Sequence, residues 1–246
     1  MFHTNFSTDW LISILLTIPG VLLALSVHEC AHGWMSYKLG DPTARNFGRL
    51  TLNPIKHIDP MGLLCMIFAG FGWAKPVPVN ARYYKKPRRD MALVAAAGPI
   101  SNLIMSVIGL LLVFIIYFIY QSVSADPIHF NFLFLSAHVG IAPQTDDTSI
   151  KIMYLLFLLL VRFARLNIGL AVFNLIPIPP LDGSRIAFIF LPPKFYFGVM
   201  RYERYIQIAM FALLFLGAFD GILADLSYYL LAGILYLIQL IPIFRF

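Results

Sequence analysis

Apolar runs long enough to cross a lipid bilayer dominate this 246-residue chain and limit what it can fold into. They lie at about 10–37, 91–121, 150–176, 205–219 and 222–243. A hydrocarbon core about 30 Å thick needs roughly 20 apolar residues to span it as a helix. Inside it the backbone must satisfy its own hydrogen bonds, which favours helices over open sheets. Composition agrees: 60% of residues are hydrophobic and 12% charged, against about 25% charged in soluble domains. The fourth run is short, and the last two are separated only by "AFDGILAD", the pattern of a helical hairpin. "MGLLCMIFAGFGW" at 61–73 is too short to cross as a helix and reads as a re-entrant or interfacial segment. No repeat is visible. The expectation is an all-α polytopic membrane protein with about five transmembrane helices, a short re-entrant β-like segment and one domain over 1–246.

Charge gives an orientation. The stretches 38–90, 184–204 and 244–246 hold 15 of the 18 Lys and Arg residues. Positively charged segments stay cytoplasmic, so the N-terminus is expected outside and the C-terminus inside, in a cell's inner membrane. The net charge of +6 follows from this bias and calls for no nucleic acid. The cluster Arg82, Lys85, Lys86, Arg88 and Arg89 suits anionic headgroups instead. The first 30 residues lack Lys and Arg, so the leading apolar run reads as a retained span and not as a signal peptide. Cys30 and Cys65 make no disulfide framework and read as buried small apolar residues.

One span carries chemistry. "LSVHECAHGW" at 25–34 places His28, Glu29 and His32 near the cytoplasmic end of the first apolar run. At 1.5 Å rise per residue, His28 lies about 27 Å along the helix from Trp10. Residues four apart share a helix face, so His28 and His32 can hold one metal ion, with Glu29 placed to act on water: the HExxH pattern of zinc proteases. Ionisable groups inside a membrane are costly and usually functional. A catalytic zinc site needs a third protein ligand. Asp182 is the acid at matching depth, in "FNLIPIPPLDGSR" at 173–185, where Pro177, Pro179 and Pro180 end the third helix. A plain cytosolic turn is the alternative for "LDG".

"HECAH" together with "NLIPIPPLDG" resembles the site-2 protease family of intramembrane zinc metalloproteases. "LGDPTARNFGRLTLNPIKHIDPMG", "FGWAKPVPVN" and "RRDMALVAAAGPISNLIM" are similar to its small bacterial members, so the likeness covers about residues 20–190. The resemblance implies His28, His32 and Asp182 as ligands of one zinc ion per chain and Glu29 as the catalytic base. It also implies Asn102 and Asn174 near the active site, where an amide could donate to a developing oxyanion. In "AKPVPVNARYY", Pro76 and Pro78 alternate with Val77 and Val79, an extended pattern tolerated at a sheet edge. The segment Lys75, Pro76, Val77, Pro78 and Val79 could hold an unwound substrate by strand addition; a simple headgroup-level loop is the alternative. No PDZ or CBS regulatory module is expected. The expected partners are a single-pass transmembrane protein or peptide and the bilayer, with no nucleic acid; self-association stays open.

The rival function is a metal transporter or metal-binding scaffold. Transport needs a polar path, yet the outer halves of the spans are apolar, and neither rival needs a carboxylate beside the first histidine. His57 and Asp59 in "NPIKHIDP" read as loop structure more readily than as a second metal site or an aid to proton transfer. His3, His129 and His138 lack ligand spacing. Arg162 and Arg165 fall deep in the third span and could line the bundle interior, pair with a carboxylate or mark a later helix start.

Overall fold

The computed structural model describes residues 8–69, 72–123, 130, 134, 146–192, 198–199 and 201–241. His3, Asp126, His129 and His138 lie outside the described residues. Seven helices are used below: α1 (Thr8–Lys38), α2 (Pro60–Ala69), α3 (Pro87–Val123), α4 (Thr148–Asn174), α5 (Asp182–Ala187), α6 (Glu203–Phe215) and α7 (Asp220–Gln239). No strand forms among the described residues beyond one isolated antiparallel bridge between Ile58 and Ala74.

Three helices are long and apolar enough to cross a membrane: α3 up to Ser122, α4 and α7, with mean hydropathies of 2.8, 2.0 and 1.7. The fold is therefore all-α and membrane-type. α1 has 31 residues, about 46 Å at helical rise, but its C-terminal half carries the polar motif. α6 has 13 residues, about 20 Å and short of a full crossing. Gly217 ends it with φ 70°, a left-handed turn that favours glycine. α2, with 10 residues, spans about 15 Å and does not cross as a helix.

The chain divides into two compact units. One, drawn from 1–21, 104–168 and 227–246, has an aromatic core in which Phe114 and Phe130 stack at 4.7 Å and Tyr117 meets Phe130 edge-on at 5.1 Å. There Phe163 packs close to Gly20 and Gly109. The other, drawn from 22–103 and 169–226, holds every candidate site residue named above. In it the chain after α1 folds back on itself. Gly62 at the start of α2 sits so close to Trp73 that a Cβ would lie 2.0 Å from the Trp73 carbonyl oxygen. Asp59 accepts the Gly62 amide at 2.9 Å, and Asn53 caps the turn Pro54–Lys56.

Asp41 fastens this unit just beyond α1. Its carboxylate accepts the Thr43 amide at 2.9 Å, the Thr43 hydroxyl, the Ser36 hydroxyl at 2.8 Å and the Asn80 amide at 2.7 Å. Tyr84 donates in turn to Ser36 at 2.7 Å. Burial works against ionisation, but the bonds from Thr43, Asn80 and Ser36 outweigh it and hold the Asp41 carboxyl below its ordinary value.

Candidate metal centre

Helical spacing places His28 and His32 on one face of α1, one turn apart, with ring centroids 4.5 Å apart. Asp182 comes from the far side of an irregular stretch. α4 stops at Asn174 because Pro177, Pro179 and Pro180 cannot donate to a helix ladder. The chain turns through 175–181 with Leu181 extended, and Asp182 opens α5. Gly183 follows because nothing larger fits: a Cβ there would lie 2.1 Å from the Leu175 carbonyl oxygen. The "LDG" motif is thus a tight junction against the end of α4 and not a free cytosolic turn.

The three side chains converge. His28 Nε2 lies 3.2 Å and His32 Nε2 3.3 Å from Asp182 Oδ2, and the two Nε2 atoms are 3.0 Å apart. Side-chain exposure is 7% for His28, 12% for His32 and 19% for Asp182, so the cluster is largely shielded. The other ring nitrogens fix the tautomers. His32 Nδ1 is 2.7 Å from the Val94 carbonyl, which can only accept, so Nδ1 carries the hydrogen. His28 Nδ1 donates to Asn102 Oδ1 at 2.6 Å, while Asn102 Nδ2 donates to the Ala24 carbonyl at 3.3 Å. In the neutral imidazoles both Nε2 lone pairs therefore point at each other and at a buried carboxylate oxygen that accepts no hydrogen bond among the described residues.

Acceptors facing acceptors repel unless a cation sits among them. The donor set fits zinc: two imidazoles and one carboxylate, oriented from behind by a side-chain and a main-chain carbonyl. Bonds of about 2.0–2.1 Å in a tetrahedron put ligand atoms about 3.4 Å apart, close to the spacing seen. His28, His32 and Asp182 form the one such group among the described residues, with ligand atoms within 4.8 Å of one another.

Glu29 is half-buried beside the first ligand, and its Oε2 accepts the Val77 amide at 2.9 Å. This bond brings the segment Lys75–Val79 beside Glu29, and those residues form no strand. Asn102 is buried, and its Oδ1 holds the His28 ring from behind. Asn174 donates to the Leu170 carbonyl one turn back on its own helix at 2.9 Å. His57 is buried and reaches no other candidate ligand; its Nε2 lies 2.7 Å from the Thr51 carbonyl.

Two contributors escaped the sequence reading. Gly98 of α3 lies against both imidazoles, where a Cβ would come within 2.5 Å of His32 and 2.6 Å of His28. The Val94 carbonyl, one turn earlier, carries no side-chain signal at all.

Comparison with known proteins agrees with this geometry. The family model described as Peptidase family M50 matches residues 16–217. A candidate zinc metalloprotease of Bacillus subtilis, YwhC, is 40% identical over 173 residues, which is 70% of this chain and 68% of that protein. Rip2 of Mycolicibacterium smegmatis, also named as a candidate zinc metalloprotease, is 30% identical over 69% of this chain and 54% of its own length. Rip2 of Mycobacterium tuberculosis H37Rv is 30% identical over 68% of this chain. The chain thus spans about half the length of the Rip2 proteins, 54% in each case. No solved structure matches.

Proposed function

The chain belongs to peptidase family M50, and from that premise we propose that it cuts transmembrane segments of single-pass proteins near the cytoplasmic face, with Glu29 as base and His28, His32 and Asp182 as zinc ligands. The family and the apolar helices make it a membrane zinc metalloprotease acting on membrane-protein substrates. The observation that carries the site assignment is the convergence of two histidine lone pairs and an unpartnered carboxylate oxygen within 3.3 Å.

When bound, zinc supplies a Lewis acid that polarises a carbonyl and lowers the pKa of water toward ~7. Glu29 takes the proton of the attacking water and passes it to the leaving amine. Asn102 and the Val94 carbonyl keep the imidazoles in the tautomer that leaves Nε2 free to ligate. A helical substrate hides its carbonyls in its own hydrogen bonds, so it must unwind first. The segment Lys75–Val79 lies against Glu29 and offers backbone on which an unwound substrate can lie. Asn102 and Asn174 are the candidates for donation to the oxyanion.

The charge distribution supports five crossings with the N-terminus outside, α6 being the short one, and α2 re-entrant in an inner membrane. The transporter or scaffold reading gives Glu29 no task. Asp182→Ala tests the ligand set: bound zinc should fall to a small fraction of one per chain and cleavage should disappear. Near-stoichiometric zinc in that variant would remove Asp182 from the coordination sphere.

A further inference from the structure

His57 and Arg49 are buried, 1% and 7% exposed, in a stretch whose other polar residues reach solvent. Each leaves a polar atom, His57 Nδ1 and Arg49 Nε, buried with no partner among the described residues. Such atoms carry a desolvation penalty, so the bonds these side chains do make need a reason. The Arg49 side chain and the His57 main chain both lead to one short piece of backbone, Lys75. His57 Nε2 donates to Thr51 O at 2.7 Å and fixes the loop from within. The His57 carbonyl then accepts the Lys75 amide at 2.8 Å, beside the Ile58–Ala74 bridge. Arg49 Nη2 donates to the Lys75 carbonyl at 2.5 Å. Both main-chain groups of Lys75 are thereby held on one edge.

In extended backbone the same edge recurs two residues on, at Val77, whose amide donates to Glu29 Oε2 at 2.9 Å. Pro76 and Pro78 have no amide hydrogen, so Val77 provides the single donor in 76–78. Asn80 ties the far end of the segment to Asp41 at 2.7 Å. A hydrogen-bonded strut thus runs from two buried side chains, through Lys75 and Val77, to one oxygen of the glutamate.

We infer that His57 and Arg49 are positioning residues for Glu29, acting through this backbone to hold one carboxylate oxygen and leave the other aimed at water. The inference rests on the reading of Glu29 as the base. Neither residue touches the metal ligands.

The test compares the purified wild type, His57→Phe, His57→Gln and Val77→Pro in one detergent. Zinc per chain is measured, with kcat and KM on a fluorogenic Leu/Ala-rich transmembrane helix carrying a Gly–Ser break. His57→Phe and Val77→Pro should each lose on the order of 10- to 100-fold in kcat, the usual effect of disturbing an orienting partner, with KM and zinc content unchanged. His57→Gln, whose amide can still donate to Thr51, should recover most of that loss. Added to Glu29→Gln, His57→Phe should cost nothing further, whereas an independent structural defect would multiply the losses. Wild-type kcat in Val77→Pro, zinc loss in Val77→Pro, or fully multiplicative losses in the double variant would overturn the inference. If His57→Phe fails to fold, Arg49→Met decides, since it removes the bond to the Lys75 carbonyl: the same loss in kcat with zinc unchanged supports the inference, and wild-type kcat overturns it. Failure of the underlying functional reading looks different: Glu29→Gln itself would cleave like the wild type.

Discussion

Gly98 is the residue whose side chain matters by its absence. A methyl group there would enter the space of both imidazoles at 2.5–2.6 Å, and neither ring can retreat while Asn102 and Val94 hold its Nδ1. Gly98→Ala should therefore lower bound zinc by at least tenfold, the scale seen when ligand orientation is disturbed, while α3 stays helical because alanine is the better helix former. Metal analysis beside far-UV circular dichroism checks both halves. The grouping of His28, His32 and Asp182, which could hold a metal ion, was foreshadowed in the sequence, because two histidines four apart and an acid on a proline-broken segment are rare in apolar sequence. Gly98 was not, since a glycine in an apolar helix gives no sign of what its bare face meets. Asn102 could be connected with the site by resemblance, but its task as acceptor for His28 emerges only across 74 residues of chain.

The elements around the site depend on one carboxylate, Asp41, which joins the end of α1 to the segment ending at Asn80. Its folded-state carboxyl lies below the ordinary value, so its contribution to stability is complete above about pH 4, the unfolded carboxylate range. It is lost as the pH falls through the lower folded value. Asp41→Asn should lower stability near neutral pH by about 1.5–3 kcal/mol, the worth of hydrogen bonds to a charged group. The gap from wild type should shrink below pH 4, as thermal unfolding in detergent at several pH values would show. Alternating Pro and Val in 76–79 suggested an extended segment, and the proline run after α4 foretold a broken helix; both depend on local backbone chemistry. Which edge of the segment faces which partner was not readable, because Val77 and Glu29 are 48 residues apart. His57 read as loop structure and lies in a loop; that its carbonyl holds Lys75 was not readable.

At the scale of the whole molecule, α3, α4 and α7 leave much of their apolar surface uncovered: only 33%, 44% and 11% of their most apolar windows are buried. Ile222, Leu226 and Leu237 of α7 are exposed, a surface that suits lipid. The class of fold was plain from such runs, whereas the number of crossings was harder to read because a 13-residue α6 and a polar-tipped α1 defeat a rule based on length and hydropathy. Orientation is testable in intact cells. A cysteine at Asp147 should react with an impermeant thiol reagent and one at Arg82 should not; the reverse labelling would invert the topology. The central claim is that a zinc ion and Glu29 together hydrolyse a peptide bond in the membrane. Glu29→Gln tests it most directly, because it keeps the side-chain shape and removes the base. The variant should retain one zinc per chain while cleavage of a model transmembrane helix drops by about 10²–10⁴. Undiminished cleavage by Glu29→Gln, or a wild type that cleaves equally well after its zinc is stripped, would contradict the account.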